Sequence, residues 1–120
     1  MVYDNQLAQR VRAYLSNRKD VREQPMMGGL IFMVDDKMCV GVIQDDLMVR
    51  IDPQRREELL AKPGCRPMDF THRRPKGFVL VELSAVKKAT ALAFWLEEGL
   101  SFNSKARSYR KKQTDDKVEF

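Results

Sequence analysis

Histidine occurs once in this chain of 120 residues, at His72, and cysteine occurs twice, at Cys39 and Cys65. Their spacing matches neither a zinc site nor a redox dithiol, both of which place two cysteines a few residues apart. Asp69 and Cys65 are partners that His72 could use in acid–base or ligand chemistry, but a single loop histidine is typical of a polar surface. The sequence therefore predicts no metal, no cofactor and no catalytic residue.

Long apolar runs are also missing. No segment approaches the roughly 18 apolar residues that cross a bilayer. The start, Met1-Val2-Tyr3-Asp4, has neither the basic nor the apolar region of a signal peptide. We therefore expect a cytoplasmic protein that does not bind membranes. In a reducing cytosol the cysteines stay unpaired, and Cys39 lies in an apolar segment where it packs as a small hydrophobe.

Positive charge exceeds negative charge, with 22 basic and 17 acidic residues and a net charge of +5. From residue 105 onward, six basic residues face three acidic ones, so the tail holds more than half of this excess. We predict one domain over residues 1–103 and a basic, flexible tail over residues 104–120. The tail either contacts nucleic acid without sequence specificity or keeps the chain soluble. Its candidate contact residues are Lys105, Arg107, Arg110, Lys111 and Lys112.

Apolar periodicity predicts an N-terminal helix followed by a three-stranded meander. Asp4 is a good N-cap, and apolar residues then recur at helical spacing as far as Leu15. A polar connector covers residues 17–24, and Pro25 closes it. Short strands are expected over 28–34, 38–43 and 47–51, joined by tight turns at Asp35-Asp36 and Gln44-Asp45-Asp46. The two acidic turns lie at opposite ends of the middle strand, on the order of 20 Å apart, so they cannot share a metal ion.

The second half predicts a short helix, a loop, one more strand and a final helix. Asp52-Pro53 reads as an N-cap followed by proline at the first helical position, in a helix that ends near Lys62. Residues 65–76 form an irregular loop, and residues 77–83 form the fourth strand. Ser84 can cap the final helix, in which one face carries Val86, Ala89, Ala93, Leu96 and Leu100, flanked by Leu92, Trp95 and Phe102. The order α-β-β-β-α-β-α describes a single α+β domain with its helices packed on one antiparallel sheet.

Two clusters of side chains are candidates for binding. Four cations of the loop, with Phe70 between them, either grip phosphates or an acidic partner, or form an ordinary solvated loop; they are Arg66, Arg73, Arg74 and Lys76. Arg50, at the end of the third strand, is a further candidate member. Methionines concentrate around the predicted sheet, where core packing is the favoured interpretation and an adaptable binding surface the alternative. They are Met26, Met27, Met33, Met38, Met48 and Met68.

Several spaced motifs over residues 1–103 resemble the TfoX N-terminal domain family, bacterial proteins named for a regulator of DNA-uptake competence. The resemblance rests on Met26-Met27-Gly28-Gly29, Phe32-Met33, Met38 with Gly41-Val42, Asp46-Leu47-Met48-Val49-Arg50, Arg66-Pro67-Met68-Asp69-Phe70 and Lys76-Gly77-Phe78-Val79. The chain departs from the family at Met27, usually phenylalanine, and at His72-Arg73-Arg74-Pro75-Lys76-Gly77, usually Gly-Arg-Pro-Met-Lys-Gly. The resemblance implies a free-standing N-terminal domain and supplies no catalytic residues.

These observations lead us to expect a non-catalytic regulatory or adaptor domain that acts through protein–protein interaction. The interaction surface is expected to be one face of the sheet or the arginine loop. The expected partner is an unidentified protein, and a second copy of the chain, in a homodimer, is the alternative. The alternative is an accessory nucleic-acid-binding protein that uses the loop and the tail, and an uncharacterised enzyme is the third reading.

Overall fold

The protein is a six-stranded antiparallel sheet with three helices, and the computed structural model describes residues 3–26, 28–69 and 76–106. The strands lie in the order β1-β2-β3-β4-β6-β5, so β1 and β5 form the two edges. The strands are β1 Val21–Met26, β2 Gly29–Val34, β3 Lys37–Ile43, β4 Asp46–Arg50, β5 Cys65–Pro67 and β6 Phe78–Val81. The helices are α1 Asn5–Tyr14, α2 Arg56–Leu60 and α3 Ala89–Asn103. This confirms the predicted α+β class and its meander.

None of the helices in the described ranges is long and apolar enough to cross a membrane.

Helix α1 begins as its sequence predicts. The Asp4 carboxylate accepts a hydrogen bond of 2.8 Å from the Leu7 backbone N–H, which satisfies one of the unpaired donors of the first turn. Leu7, Ala8 and Val11 are buried on one face of the helix, and Leu15 continues that stripe past its end. The amphipathic pattern therefore fixes which face of α1 packs on the sheet.

The turns of the meander use left-handed backbone conformations. Asp35 and Asp36 have φ angles of 51° and 64°, as a two-residue type I′ hairpin requires, and aspartate tolerates this region better than most residues. This confirms the structural interpretation of that acidic pair. In the next turn it is Gln44 that has positive φ, at 55°, whereas Asp46 already begins β4. The predicted three-residue turn is thus one residue too long.

Two strands occupy segments predicted to be irregular. Residues 17–24 were predicted to be a connector, but β1 begins at Val21 and pairs with β2 over its full length. Its polar composition and Pro25 suit an edge strand, because an edge strand pairs with a neighbouring strand on one side only. The predicted loop over 65–76 likewise contains β5, a three-residue edge strand that pairs with β6. Both strands add to the predicted order without changing the arrangement of the other elements.

The final helix begins later than predicted. Residues Leu83–Val86 form a 3₁₀ turn, and α3 starts at Ala89 after Lys88, so Ser84 does not cap it. Its buried residues are Leu92, Trp95, Leu96, Gly99 and Asn103. Leu96 belongs to the predicted stripe, and Leu92 and Trp95 to its predicted flanks, so the buried face is rotated toward those flanks. By contrast, the Asp52 carboxylate accepts a bond of 2.9 Å from the Gln54 N–H at the start of a 3₁₀ turn, Pro53–Arg55, that leads into α2.

The sheet separates two apolar clusters. All three helices pack on one face, which we call the helical face, and bury the larger cluster there. Gly99 lets α3 approach β3 closely, because a Cβ atom at this position would lie 2.9 Å from Val40 Cγ1. The opposite side, which we call the open face, carries a second cluster to which no helical residue of the described ranges contributes. The helical face thus builds the main core, and the open face remains as a candidate surface.

Candidate functional site

The structure separates the members of the predicted arginine loop that it describes. Arg66 lies on β5, and its guanidinium forms an ion pair with the Asp46 carboxylate at the start of β4. Lys76 directly precedes Gly77, whose carbonyl accepts a 2.8 Å bond from the Ile51 N–H just past the other end of β4. Arg66 and Lys76 therefore belong to opposite ends of this strand. Arg73, Arg74 and His72, with Phe70, lie outside the described residues.

Of the predicted tail contacts, only Lys105 falls within the described ranges. Its Nζ lies 3.9 Å from Asp52 Oδ2. Residues 51–53 therefore lie next to both Lys105 and the backbone that follows Lys76. Arg66 lies at the other end of β4. The other tail candidates lie outside the described residues, namely Arg107, Arg110, Lys111 and Lys112.

The cysteines are free thiols in environments that disfavour the thiolate. Burial raises the pKa of Cys39 to about 12, and partial burial raises the pKa of Cys65 to about 11. A thiolate is the form that attacks electrophiles and binds metals, so both thiols are poorly suited to either role at neutral pH. Across residues 3–26, 28–69 and 76–106, no group of three or more His, Cys, Asp or Glu side chains is placed to hold a metal ion.

The open face has a buried centre and a partly exposed apolar border. Ile31, Met33 and Met48 are fully buried at the centre, and Met68 packs against them. Around them lie partly buried side chains from three strands, β1, β3 and β6, namely Met26, Met38, Ile43, Phe78 and Leu80. Methionines thus contribute to the buried centre, as the core interpretation predicts, and also to the exposed border. Tyr14, 38% exposed, is the one large hydrophobic side chain of the described residues that counts as exposed.

Charged side chains surround this apolar border. On β1, Arg22 Nη2 donates to Asp36 Oδ1 at 2.9 Å. On the other side, Arg66 pairs with Asp46, and the guanidinium of Arg50 lies 5.6 Å from the centroid of the Phe78 ring. Burial lowers the pKa of Arg50. The arrangement is an apolar centre with a charged rim, which is the usual anatomy of a protein interface.

A second site was not predicted from the sequence. Between the end of α1 and β1 lies an open cleft of about 360 Å³, which we call the arginine cleft. Its rim carries Arg12, Arg18 and Arg22, and its floor includes Leu15, Val21 and Phe32. The available signal was local charge, because residues 10–23 contain five basic and two acidic residues. Because these residues belong to a helix face and to a predicted connector, the sequence alone does not indicate that they meet.

Each arginine of the cleft already contacts a carboxylate. Arg12 Nη2 donates to Glu23 Oε1 at 2.8 Å, and Arg18 binds Asp20 through two bonds of 2.9 and 3.0 Å. These bonds lower the pKa of Glu23 and of Asp20 below their usual ranges. The cations of the cleft are therefore paired with carboxylates of the chain itself.

Comparison with known proteins gives a family and a fold. A profile of the TfoX N-terminal domain matches residues 13–103. A comparison with curated proteins finds no match. Among solved structures, the chain is similar to the crystal structure of a Pseudomonas syringae protein determined by a structural genomics consortium, with a TM-score of 0.57 and 16% sequence identity. The similarity covers 76% of this chain and 93% of that chain, and at this identity it shows the shared fold alone.

Proposed function

Because the chain belongs to the TfoX N-terminal domain family, we propose that it is a regulatory or adaptor domain without catalytic activity, which acts by binding a protein partner. The proposal includes a role in the control of transcription or competence, which the family's name suggests. The partner is proposed to bind at the open face of the sheet.

The observation that carries this proposal is the apolar border of the open face. Met26, Met38 and Leu80 are partly exposed there although no helix of the described ranges covers them. Half-buried apolar side chains gain free energy when a partner removes them from water, at about 25 cal/mol per Å². Methionine adapts its shape to different partners because its side chain is unbranched and flexible. Such a surface suits a moderate, reversible interaction better than a permanent one.

The rim indicates the charge of the partner. Arg22, Arg50 and Arg66 are cations of the rim, whereas Asp36 and Asp46 supply the carboxylates. A partner with an apolar centre and acidic residues around it would match both features of the surface. A second copy of the chain would instead bring arginines close to arginines unless the symmetry axis separated them. We therefore favour a different protein as the partner.

The absence of catalysis is supported by the chemistry of the described nucleophiles. Burial raises the pKa of both cysteines, so neither is activated. The arginine cleft contains paired guanidinium and carboxylate groups and, among its lining residues, no histidine. These groups are suited to binding rather than to proton transfer near neutral pH.

The first experiment places a benzophenone amino acid at Met38, on the open face, and at Glu57, an exposed position of α2, as a matched control. Each variant is irradiated in a lysate of cells that express the chain naturally, and crosslinked proteins are identified by mass spectrometry. A candidate is a protein that crosslinks at Met38 and not at Glu57. It is then purified and titrated against the chain.

In that titration, the double variant Met26→Gln, Met38→Gln should bind roughly tenfold more weakly than the wild type, since two half-buried contacts are lost. Glu57→Gln should bind as the wild type does, and unfolding free energies establish that each variant is folded. Equal binding by the double variant and the wild type would contradict the proposal. If the chain crosslinks to itself at Met38 and light scattering finds a dimer, the partner is a second copy.

Nucleic-acid binding is the second candidate, favoured by the proximity of Lys76 and Lys105 to residues 51–53. It is tested by fluorescence anisotropy with duplex DNA and single-stranded RNA at low and near-physiological salt, comparing the full chain with one that ends at Ala106, which keeps Lys105 and removes the other basic residues of the tail. Binding that survives both changes supports this candidate. Binding that disappears in either is tail electrostatics.

A further inference from the structure

We propose that the arginine cleft and the adjoining outer edge of β1 form a second site, which binds an extended acidic segment of a partner protein by adding a strand to the sheet. This site shares Arg22 with the rim of the open face, but the inference does not depend on the function proposed for that face. It rests on three observations that coincide over residues 21–23: the hydrogen-bonding edge of β1, the arginines above it and the apolar floor between them.

The first observation concerns the backbone of β1. The Asp20 carbonyl accepts a 2.8 Å bond from the Asp35 N–H, so position 20 faces β2. Because hydrogen-bonding directions alternate along an antiparallel strand, Val21, Glu23 and Pro25 direct their backbone groups away from β2. This assignment agrees with the place of Pro25, which has no N–H and is tolerated where that group would face outward. No described strand pairs with this edge.

Pro25 and the alternation limit where a new strand can pair. Val21 and Glu23 each present one N–H and one carbonyl at the edge, whereas Pro25 presents a carbonyl alone. An added strand therefore has its best hydrogen-bonding positions along Val21–Glu23. The same three residues line the arginine cleft. A peptide paired with this half of β1 would thus lie beside the cleft.

The second observation is the arrangement of cations. Arg12, Arg18 and Arg22 line the cleft, and their side chains are 40–47% exposed. Their ion pairs are exposed pairs of the kind that contributes about 0–1 kcal/mol, so exchange for another carboxylate costs little. A guanidinium also has five N–H donors. Arg12 uses Nε and Nη2 for Glu23, which leaves Nη1 for a carboxylate of the incoming segment.

The third observation is the apolar floor, which distinguishes a peptide from a nucleic acid. Val21 is half-buried and supplies the accessible apolar surface of the floor, while Leu15 and Phe32 are almost completely buried beneath it. A phosphodiester backbone would place charged oxygens above this floor and would gain nothing from it. A leucine side chain would bury apolar area there, and the cleft of about 360 Å³ accommodates it.

The three observations specify a sequence pattern for the ligand. Side chains of an extended strand alternate between the two faces, so a central leucine directed at the cleft has residues two positions away on the same side. Glutamates there reach Arg12 and Arg18, and glutamates adjacent to the leucine point to the other side, near Arg22. A suitable probe is the acetylated and amidated peptide Glu-Glu-Leu-Glu-Glu. Backbone pairing supplies affinity and the side chains supply specificity.

The test is a titration of the ¹⁵N-labelled full chain with this peptide, followed by NMR, because chemical shifts detect millimolar affinity. We expect the largest changes at the amides of Val21 and Glu23 and at Ser16 and Arg18. A peptide with glutamines in place of glutamates tests the charge. A peptide with an N-methylated leucine tests the strand pairing, since it lacks the N–H that pairs with the edge. Both should bind roughly tenfold more weakly.

Two variants of the protein separate this site from general electrostatics. Arg12→Gln with Arg18→Gln should weaken peptide binding roughly tenfold. Arg10→Gln is the matched control, because Arg10 lies on the same helix but donates to the Lys87 carbonyl and does not line the cleft. Its binding should equal that of the wild type. Poly-dT titrated in parallel should leave the amides of Val21 and Glu23 unchanged.

Several results would overturn the inference. These are shift changes confined to other parts of the chain, equal affinity for the acidic and glutamine peptides, and an equal loss in Arg10→Gln. Undiminished binding of the N-methylated peptide would exclude strand addition. Stronger changes at the same amides with poly-dT would assign the cleft to nucleic acid instead. Arg12 and Arg18 line the cleft and do not belong to the rim of the open face, so these variants test the cleft alone and the two proposals succeed or fail separately.

Discussion

At the scale of single residues, Asn103 fastens the end of α3 to the sheet. It is 7% exposed and is the buried polar residue among those described. Its Nδ2 donates to the Val34 carbonyl at 3.2 Å, and its own backbone carbonyl accepts a bond of 3.1 Å from Lys37 Nζ. The lysine thereby satisfies a carbonyl of the last helical turn and places a cation at the negative end of the helix dipole.

We predict that Asn103→Ala lowers the free energy of unfolding by about 1–2 kcal/mol, because the Val34 carbonyl then loses a buried donor. The bond from Lys37 remains, since it uses the backbone. Ser101→Ala, at an exposed position of the same helix, is the control and should change stability by less than about 0.5 kcal/mol. Urea denaturation followed by circular dichroism measures both, and equal stabilities for the two variants would contradict the assigned role.

A second prediction at this scale concerns Gly99, where α3 approaches β3 closely. Alanine is favoured over glycine within a helix by about 1 kcal/mol. At this position, however, its Cβ would lie 2.9 Å from Val40 Cγ1 and 3.2 Å from the Cys39 carbonyl oxygen, so the helix must move outward. Gly99→Ala should therefore destabilise the protein by about 1–2 kcal/mol despite its helix propensity.

The same prediction can be tested by a double-mutant cycle. Val40→Ala removes the nearest obstacle, so the combined variant should lose less stability than the sum of the single variants. An exactly additive result, or a stabilising Gly99→Ala, would show that α3 does not approach β3 as closely as described.

At the scale of elements, apolar pattern determines which parts of the fold could be predicted. Helix α1 and strands β2 to β4 have strong periodicity or continuous apolar runs, and they were predicted within a few residues. Strand β1 has mainly polar residues and a proline, and its pairing with β2 is a tertiary fact that its own sequence does not encode. Strand β5 has only three residues, too few for a period. The start of α3 was misjudged because Ser84 also suits a turn.

The candidate sites could be predicted only where their residues lie close together in the sequence. The segment with Arg66 was recognisably basic, but its pairing with Asp46 depends on the neighbouring positions of β4, β6 and β5 in the sheet. The arginine cleft depends on α1 and β1 meeting across a corner, so Arg12 and Arg22 belong to different elements. Side chains within one loop could be grouped from sequence, whereas groups formed across elements could not.

Because β1 is an edge strand, we predict that its backbone amides exchange with solvent at two different rates. The N–H groups of Arg22 and Gln24 face β2, and those of Val21 and Glu23 face away from it. We expect the first pair to exchange slowly and the second to exchange near the rate of an unprotected amide. NMR-detected exchange on the full chain measures all four amides. Strong protection at Val21 and Glu23 would mean that the outer edge is already paired, for example in a self-association that dilution would reveal.

At the scale of the whole molecule, the two faces of the sheet differ in the size of the apolar cluster that each carries. The helical face carries the larger cluster, with Trp95, Leu96 and Leu59 over the strands, and it supplies most of the apolar burial that stabilises the fold. The open face carries a smaller cluster with a partly exposed border. A domain arranged in this way is stabilised chiefly from one side, so its other side can vary in shape with less loss of stability.

The buried thiol of Cys39 gives the stability of the whole molecule a distinctive dependence on pH. Burial between the sheet and α3 raises its pKa to about 12, while an unfolded cysteine has a pKa of about 8.5. The folded state therefore retains a proton that the unfolded state loses. The stabilisation is complete below pH about 8.5 and declines by about 1.4 kcal/mol per pH unit above it, until the folded pKa is reached.

We predict that raising the pH from 7.5 to 10 lowers the free energy of unfolding of the wild type by about 2 kcal/mol more than that of Cys39→Ala. The comparison is made by urea denaturation under reducing conditions, which keep both thiols unoxidised. Cys39→Ala also leaves a cavity and lowers stability at pH 7.5, but a cavity does not titrate, so the difference between the two pH values isolates the thiol. Parallel pH profiles for the wild type and Cys39→Ala would show that Cys39 ionises equally in both states, and hence that α3 does not seal this part of the core.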